Sequence, residues 1–287
     1  MVAEGVTQSG QEVTALVAWS IADGSANVNL MASAAKTEVF AVDMGMANDV
    51  NHSALINRRI AHGTKNMALE PAMTREQAIH AIQAGIDLVG EMKARGYAMI
   101  ATGEMGIGNT TTSSALAATL LNLPAETVTG RGAGLSDTGL QRKIWAIERA
   151  ITVNRPDPQD PLDVLSKLGG LDICGMAGLF IGGAIHGVPV IIDGFISAVA
   201  ALMAQRLCLG ADIAMLPSHC SDEPAARRVL AALNKTPILF ANMRLGEGTG
   251  GVCLLPLLDM ALAVYGGGAT FAHVGIDAYT PQGGETC

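Results

Sequence analysis

Aromatic residues are nearly absent from this sequence. They make up 3% of its 287 residues, while apolar residues together make up 49%. The core must therefore be aliphatic, built from Ala, Leu, Ile, Val and Met around 34 glycines. That composition suits close packing of helices on a sheet. Positive charge is also scarce: 18 Lys and Arg stand against 26 Asp and Glu, for a net charge of −8, and no basic run occurs. A nucleic-acid backbone demands clustered cations, so nucleic-acid partners are excluded, and attachment to an anionic membrane surface is disfavoured. The cysteines (Cys174, Cys208, Cys220, Cys253 and Cys287) are scattered, odd in number and free of C-x-x-C spacing. They read as free, buried thiols of a reducing compartment, with a structural zinc site as the alternative. The six histidines are dispersed and H-E-x-x-H is missing, so metal hydrolysis has no support. Long uninterrupted apolar runs are lacking too. His186, Pro189 and Asp193 break the apolar stretch 173–207 into pieces shorter than the ~20 residues a bilayer requires. Met1 to Gly5 carry neither the basic nor the apolar region of a signal peptide. A cytoplasmic protein with no membrane association is expected.

A chain of 287 residues can bury a sizeable core in one large domain. Its patterning alternates between strand and helix. Residues 13–35 read as mostly helical, 38–44 as a strand and 48–69 as irregular. Residues 74–95 form an amphipathic helix pattern: Thr74 can cap it with Gln77 three residues on, and Ala78, Ile82, Ile86 and Val89 make its apolar stripe. Residues 98–102 read as a strand, and 110–121 and 137–153 as helices. The three prolines within 154–161 require a loop. Then follow a helix over 172–186, a strand over 188–192, helices over 196–207 and 223–233, and short strands over 213–216 and 238–242. A last helix runs to residue 264, and a glycine-rich tail begins at 266. Short strands alternating with helices predict an α/β fold, doubly wound around a mainly parallel sheet with helices on both faces. Ligands on such sheets sit beyond the carboxyl ends of the strands.

Two glycine-rich segments fall at such ends: GEMGIGNTTT over 103–112 and RLGEGTGG over 244–251. Each follows a strand pattern and opens a helix pattern. A junction of this kind offers free backbone N–H groups at the positive end of a helix, where phosphate or carboxylate is favoured. Each also carries one acid, Glu104 or Glu247. A phosphate cradle with acids suggests an anionic sugar and a base. The first segment has G-x-x-G-x-G spacing rather than G-x-G-x-x-G, and Asn109 stands where a Walker lysine would be. Dinucleotide-dependent hydride transfer and nucleotide hydrolysis are thereby disfavoured.

These two segments belong to a longer series. QEVTA (11–15), GEMGIGNTTT, GGLDICGMAG (169–178), VIIDGF (190–195), PSHCSDE (217–223) and RLGEGTGG, in this order over about residues 4–265, resemble the nicotinate-nucleotide–dimethylbenzimidazole phosphoribosyltransferase family. The resemblance implies a single phosphoribosyltransferase domain over 1–287, with residues 9–35 and 250–287 contributing to a small helical subdomain. It implies transfer of the phosphoribosyl group of nicotinate mononucleotide to an aromatic base, with inversion at the anomeric carbon and no metal or cofactor. By matching, Glu247 takes the proton of the incoming base, and Glu104 positions the nucleotide or assists. The phosphate is expected at Gly106, Ile107, Gly108, Asn109 and Thr110, with Ser221 and Gly246 beside it and Lys143 near. Each assignment has a plainer alternative. Glu247 could be an ordinary acid at a helix amino end, the glycines a tight turn, Lys143 a solvated helix charge, and Ser221 a cap for the helix after it. Met44, Met46 and Met105 read as core or pocket lining.

Two departures from the family pattern stand out. Family members carry a further N-terminal segment, and this sequence opens just beyond it, so part of the small subdomain is expected to be missing. The exposed sheet edge would favour pairing as a homodimer, or as a heterodimer with a paralogous subunit. The family is dimeric, with the partner close to the site. Second, matching Ser9 and Val13 puts Val17 where well-known members have a glutamine against the aromatic base. A pocket lined by Ser9, Val13 and Val17 would select on shape, which suits dimethylbenzimidazole or a phenolic such as phenol or p-cresol. A non-catalytic subunit supporting a catalytic paralogue is the competing reading.

Overall fold

The structure is a computed structural model, and it describes residues 1–277 and 279. Cys287 and the end of the glycine-rich tail lie outside the described residues. The helices are α1 (Glu12–Asp23), α2 (Asn27–Ala34), α3 (Arg75–Ala94), α4 (Asn109–Leu121), α5 (Ala125–Val128), α6 (Asp137–Asn154), α7 (Pro161–Leu168), α8 (Leu171–His186), α9 (Phe195–Leu207), α10 (Ala226–Ala232) and α11 (Thr249–Gly267). The strands are β1 (Val42–Asp43), β2 (Ile56–Asn57), β3 (Ile100–Ala101), β4 (Val190–Ile192) and β5 (Met215–Pro217). Contacts divide the chain into one unit over Met1–Leu254 and a second from Leu255 onward. The second holds the remainder of α11 and a 3-10 turn at Ala272–Val274.

All strand pairs are parallel. One sheet has the order β3-β4-β5 and the other pairs β1 with β2. β4 lies in the middle and its Val190, Ile191 and Ile192 are fully buried, which is why that segment is an unbroken β-branched run. α8 and α9 pack on β4, and α3 lies along α8. The α3–α8 crossing is glycine-mediated: a Cβ on Gly178 would stand 2.0 Å from the carbonyl oxygen of Ile82. Phe180, Leu165, Ile173 and Leu202 are buried in the aliphatic core around these elements. The parallel α/β class is the one expected.

Several elements differ from the sequence reading. The helix expected over 13–35 is two, because Gly24 ends α1 in the left-handed region at φ +86°. Only Val42 and Asp43 of 38–44 are strand, and they pair with β2 inside the segment expected to be irregular. Residues 238–242 make no strand, only a single bridge between Leu239 and His219. Residues 211–214 form a 3-10 turn, and β5 starts at Met215. Helices α5 and α7 were not expected; Pro161 opens α7 and Asp160 caps it by accepting from the Asp163 amide at 3.1 Å. The Thr74–Gln77 capping box forms as read, with reciprocal bonds of 3.0 and 3.1 Å. Helix α11 is 19 residues long and apolar enough to cross a membrane by length and composition alone, a property the sequence reading assigned to no segment. Its first turn, from Thr249 to Val252, is buried.

Candidate active site

The carboxyl ends of β3, β4 and β5 converge. After β3, the Thr102 hydroxyl donates to the Ile191 carbonyl at 2.8 Å, next to Ser197 Oγ at 2.7 Å. After β4 comes Asp193, and after β5 Ser218 and His219, all buried. The two glycine segments lie against each other over this edge. A Cβ on Gly103 would sit 2.8 Å from the carbonyl carbon and oxygen of Glu247, so only glycine lets the backbones meet. The Glu247 amide donates to the Glu104 carbonyl at 3.3 Å. Glu247 has φ +60°, between Gly246 at +82° and Gly248 at +86°. A non-glycine residue there costs about 1 kcal/mol, so surrounding contacts must hold it. Its Oε2 is buried and, among the described residues, without a hydrogen-bond partner, an acceptor left open beside Glu104.

Glu104 sits among acids. Asn109, the first residue of α4, donates its amide to Glu104 Oε2 and, at 2.9 Å, to Asp172 Oδ2 at the start of α8. Burial pushes the Glu104 carboxyl up to about 8; Asp172, Asp193 and Glu247 add to the rise and the Asn109 amide opposes it. Burial raises Asp172 as well, against the Asn109 bond. At neutral pH Glu104 therefore mostly holds a proton.

Lys143 is 1% exposed, which removes the solvated-charge alternative. From α6 its ammonium donates to Thr110 Oγ1 at 2.9 Å and to the Gly130 carbonyl at 3.0 Å. Burial lowers its pKa to about 8, and Glu223 opposes that shift. Glu223 itself is raised by burial, and its Oε2 has no partner among the described residues. The loop carrying Gly130 and Gly132 thus joins Lys143 to the amino end of α4. Gly106 and Ile107 precede that end, and the Ile107 amide donates to Thr14 Oγ1 of α1 at 3.0 Å. Among the described residues neither the Gly108 nor the Thr110 amide has an internal acceptor.

The second glycine segment departs from expectation. Its helix end is not open: Asp193 Oδ1 accepts from the amides of Gly250 at 2.8 Å and Gly251 at 3.0 Å. A buried side chain holds the anion position that the sequence reading offered to substrate. Ser221 does not cap the next helix, which begins at Ala226; it lies beside Gly194, whose Cβ would be 3.7 Å from its own. Val13 and Val17 stand one turn apart on α1 and are half-buried, as is Ser9 ahead of it. Asp172, Asp193, His219 and the loop over 130–132 are the residues that motif reading left without a role. The one signal for Asp193 was its place directly after the apolar β4 run. Among the described residues no three His, Cys, Asp or Glu side chains are grouped to hold a metal ion.

A helix amino end, a buried lysine and two carboxylates thus gather on the carboxyl edge of a parallel sheet, and a family model described as phosphoribosyltransferase matches residues 1–276. The nicotinate-nucleotide–dimethylbenzimidazole phosphoribosyltransferase of Acetivibrio thermocellus is 45% identical over 282 residues, covering 98% of this chain and 80% of that protein. That of Geobacter metallireducens is 44% identical over 278 residues, covering 96% and 79%. The crystal structure of CobT from Thermus thermophilus aligns with a TM-score of 0.91 at 39% identity, covering 96% of this chain and 83% of that one. The chain belongs to the nicotinate-nucleotide–dimethylbenzimidazole phosphoribosyltransferase family.

Proposed function

We propose that this enzyme moves the 5-phosphoribosyl group of nicotinate mononucleotide to an aromatic base, dimethylbenzimidazole or a phenolic, for the lower ligand of a cobamide. A ring nitrogen or phenol oxygen of the acceptor bonds to the anomeric carbon from the face opposite nicotinate. The bond to nicotinate breaks, its electron pair returns to the pyridinium nitrogen, and the acceptor proton passes to Glu247. The products are an α-riboside 5′-phosphate, nicotinate and one proton. The observation that carries this reading is the meeting of Glu247, with its unpartnered buried oxygen, and Glu104 at the helix end that Lys143 serves. A carboxylate beside the reacting carbon takes the proton and offsets the positive charge that develops on the sugar.

In the same reading the phosphate lies over Gly106, Ile107, Gly108, Asn109 and Thr110, with the Lys143 ammonium beside it. The amides of Gly108 and Thr110, which have no acceptor among the described residues, support this; Ser221 and Gly246 stand beside the phosphate. Glu104, protonated at neutral pH, donates to the nucleotide. Ser9, Val13 and Val17 line the acceptor pocket, carried to the first glycine segment by the Thr14–Ile107 bond. Residues 9–35 and the start of α11 belong to the small helical subdomain, a reading supported by the packing of Val252 with Ala26, Val28 and Ala32. The working form is a dimer in the cytoplasm, of identical or paralogous chains.

Incubation with nicotinate mononucleotide and either dimethylbenzimidazole or phenol, with the chain alone and with a co-expressed paralogue, tests the reading by release of nicotinate. Turnover of dimethylbenzimidazole with no use of phenol rejects the phenolic variant. Glu247→Gln should lower kcat by about 100- to 10,000-fold. Near-full activity of that variant in the assembled complex would instead favour a supporting, non-catalytic subunit.

A further inference from the structure

Asp193 is a buried acid to which the proposed chemistry gives no task. It is 2% exposed and follows the central strand β4. Its own amide donates to Ser197 Oγ at 3.1 Å, which fixes it to the sheet and to the first turn of α9. Its Oδ1 accepts from the Gly250 and Gly251 amides, the second and third of α11. Helix caps normally come from the residue just before the helix. Here that residue is Gly248, which has no side chain, and the cap arrives from another element. The fit is close: a Cβ on Gly250 would stand 1.9 Å from His219 Nδ1 and 2.9 Å from Asp193 Oδ1. His219 is itself buried, with Nδ1 3.1 Å from Ser218 Oγ after β5. Two strand ends therefore grip the first turn of α11. Directly before that turn lie three successive left-handed residues, Gly246, Glu247 and Gly248. A left-handed glutamate reverts to ordinary backbone unless its neighbours prevent it.

We infer that Asp193 is the positioning residue for Glu247: by anchoring the amino end of α11 to the sheet, it fixes the left-handed turn and so the direction of the Glu247 carboxylate. This rests on the proposed role of Glu247. The anchoring needs an acceptor oxygen at the β4 end and does not need Asp193 to touch the substrate. It also reserves this helix end for the protein, which leaves the phosphate to the first glycine segment and Lys143.

The test compares two truncations, Asp193→Ala and the milder Asp193→Ser, with Asp193→Asn, which keeps an oxygen able to accept from both amides. Steady-state kinetics with nicotinate mononucleotide and dimethylbenzimidazole is read beside amide hydrogen exchange over residues 249–252. A truncated variant should lose about 100-fold in kcat, the size of loss that a misplacement of about 1 Å produces. Its KM for nicotinate mononucleotide should move less than about threefold. Exchange at Gly250 and Gly251 should speed up, and Asp193→Asn should recover most of both losses. The inference is overturned by a truncated variant with wild-type kcat, by kcat and KM worsening together, or by an Asp193→Asn enzyme as slow as the truncations. If the unaltered protein turns over neither acceptor, the proposed function fails by itself. The exchange measurement still decides the anchoring, because unchanged exchange after truncation overturns it.

Discussion

Lys143 and Glu104 show how burial changes what a charged residue can do. Lys143 keeps its ammonium out of water with two hydrogen bonds and one donor to spare. With its pKa lowered to about 8, it loses charge as pH rises through that value. The KM for nicotinate mononucleotide should therefore rise above pH 8 while kcat changes less, a split visible in pH profiles. Lys143→Met should raise that KM by about 10- to 100-fold at pH 7, the worth of one hydrogen bond to a charged group. Glu104 is raised to about 8 instead. Below the carboxylate value of the unfolded chain, both states hold the proton and no penalty arises. As pH rises toward 8 the unfolded chain gives up its proton while the folded one keeps it, so stability falls across that window and levels off above it. Glu104→Gln should remove this loss. Its melting temperature should exceed that of the unaltered protein by more at pH 8 than at pH 5; an equal gap at both would show that the Glu104 carboxyl titrates normally. The sequence marked both positions through their motifs. It left the Lys143 environment open, because a lysine on an amphipathic helix pattern looks alike whether its face meets water or a glycine loop.

Among the elements, the pairing of α3 with α8 and the seating of the two glycine segments depend on backbone contact. Gly178 meets Ile82 where no side chain fits. Gly178→Ala should destabilise the fold by about 1–3 kcal/mol through forced separation of the helices. Chemical denaturation measures this, and an unchanged midpoint would mean that the crossing yields. Helix positions were largely legible, because amphipathic periods and the Thr74 capping box are local signals. Strands were less so. At two or three residues each, they are defined by partners far along the chain rather than by their own pattern. Residues 238–242 show the limit: a β-rich run with only one bridge to His219. The break at Gly24 is the converse case, a local signal that the apolar pattern on both sides conceals.

At the scale of the whole molecule, the outward faces of α1 and α2 carry Leu16, Trp19 and Leu30 in the open. Exposed apolar groups of this size invite a partner. The purified chain should sediment at twice its own mass; a monomer that gains activity only with a paralogue would turn the reading to the heterodimer. The order of motifs determined the family, and the alternation of strand and helix patterns the parallel α/β class, because each is written in short contiguous strings. Only the tertiary structure decided that the two glycine segments lie against each other, that Lys143 bonds Thr110 in the helix after the first of them, and that Asp193 closes the helix end of the second. Those facts depend on which strand ends lie side by side. Long-range pairing of this kind arises from burial of the whole sheet, to which no single segment holds the key.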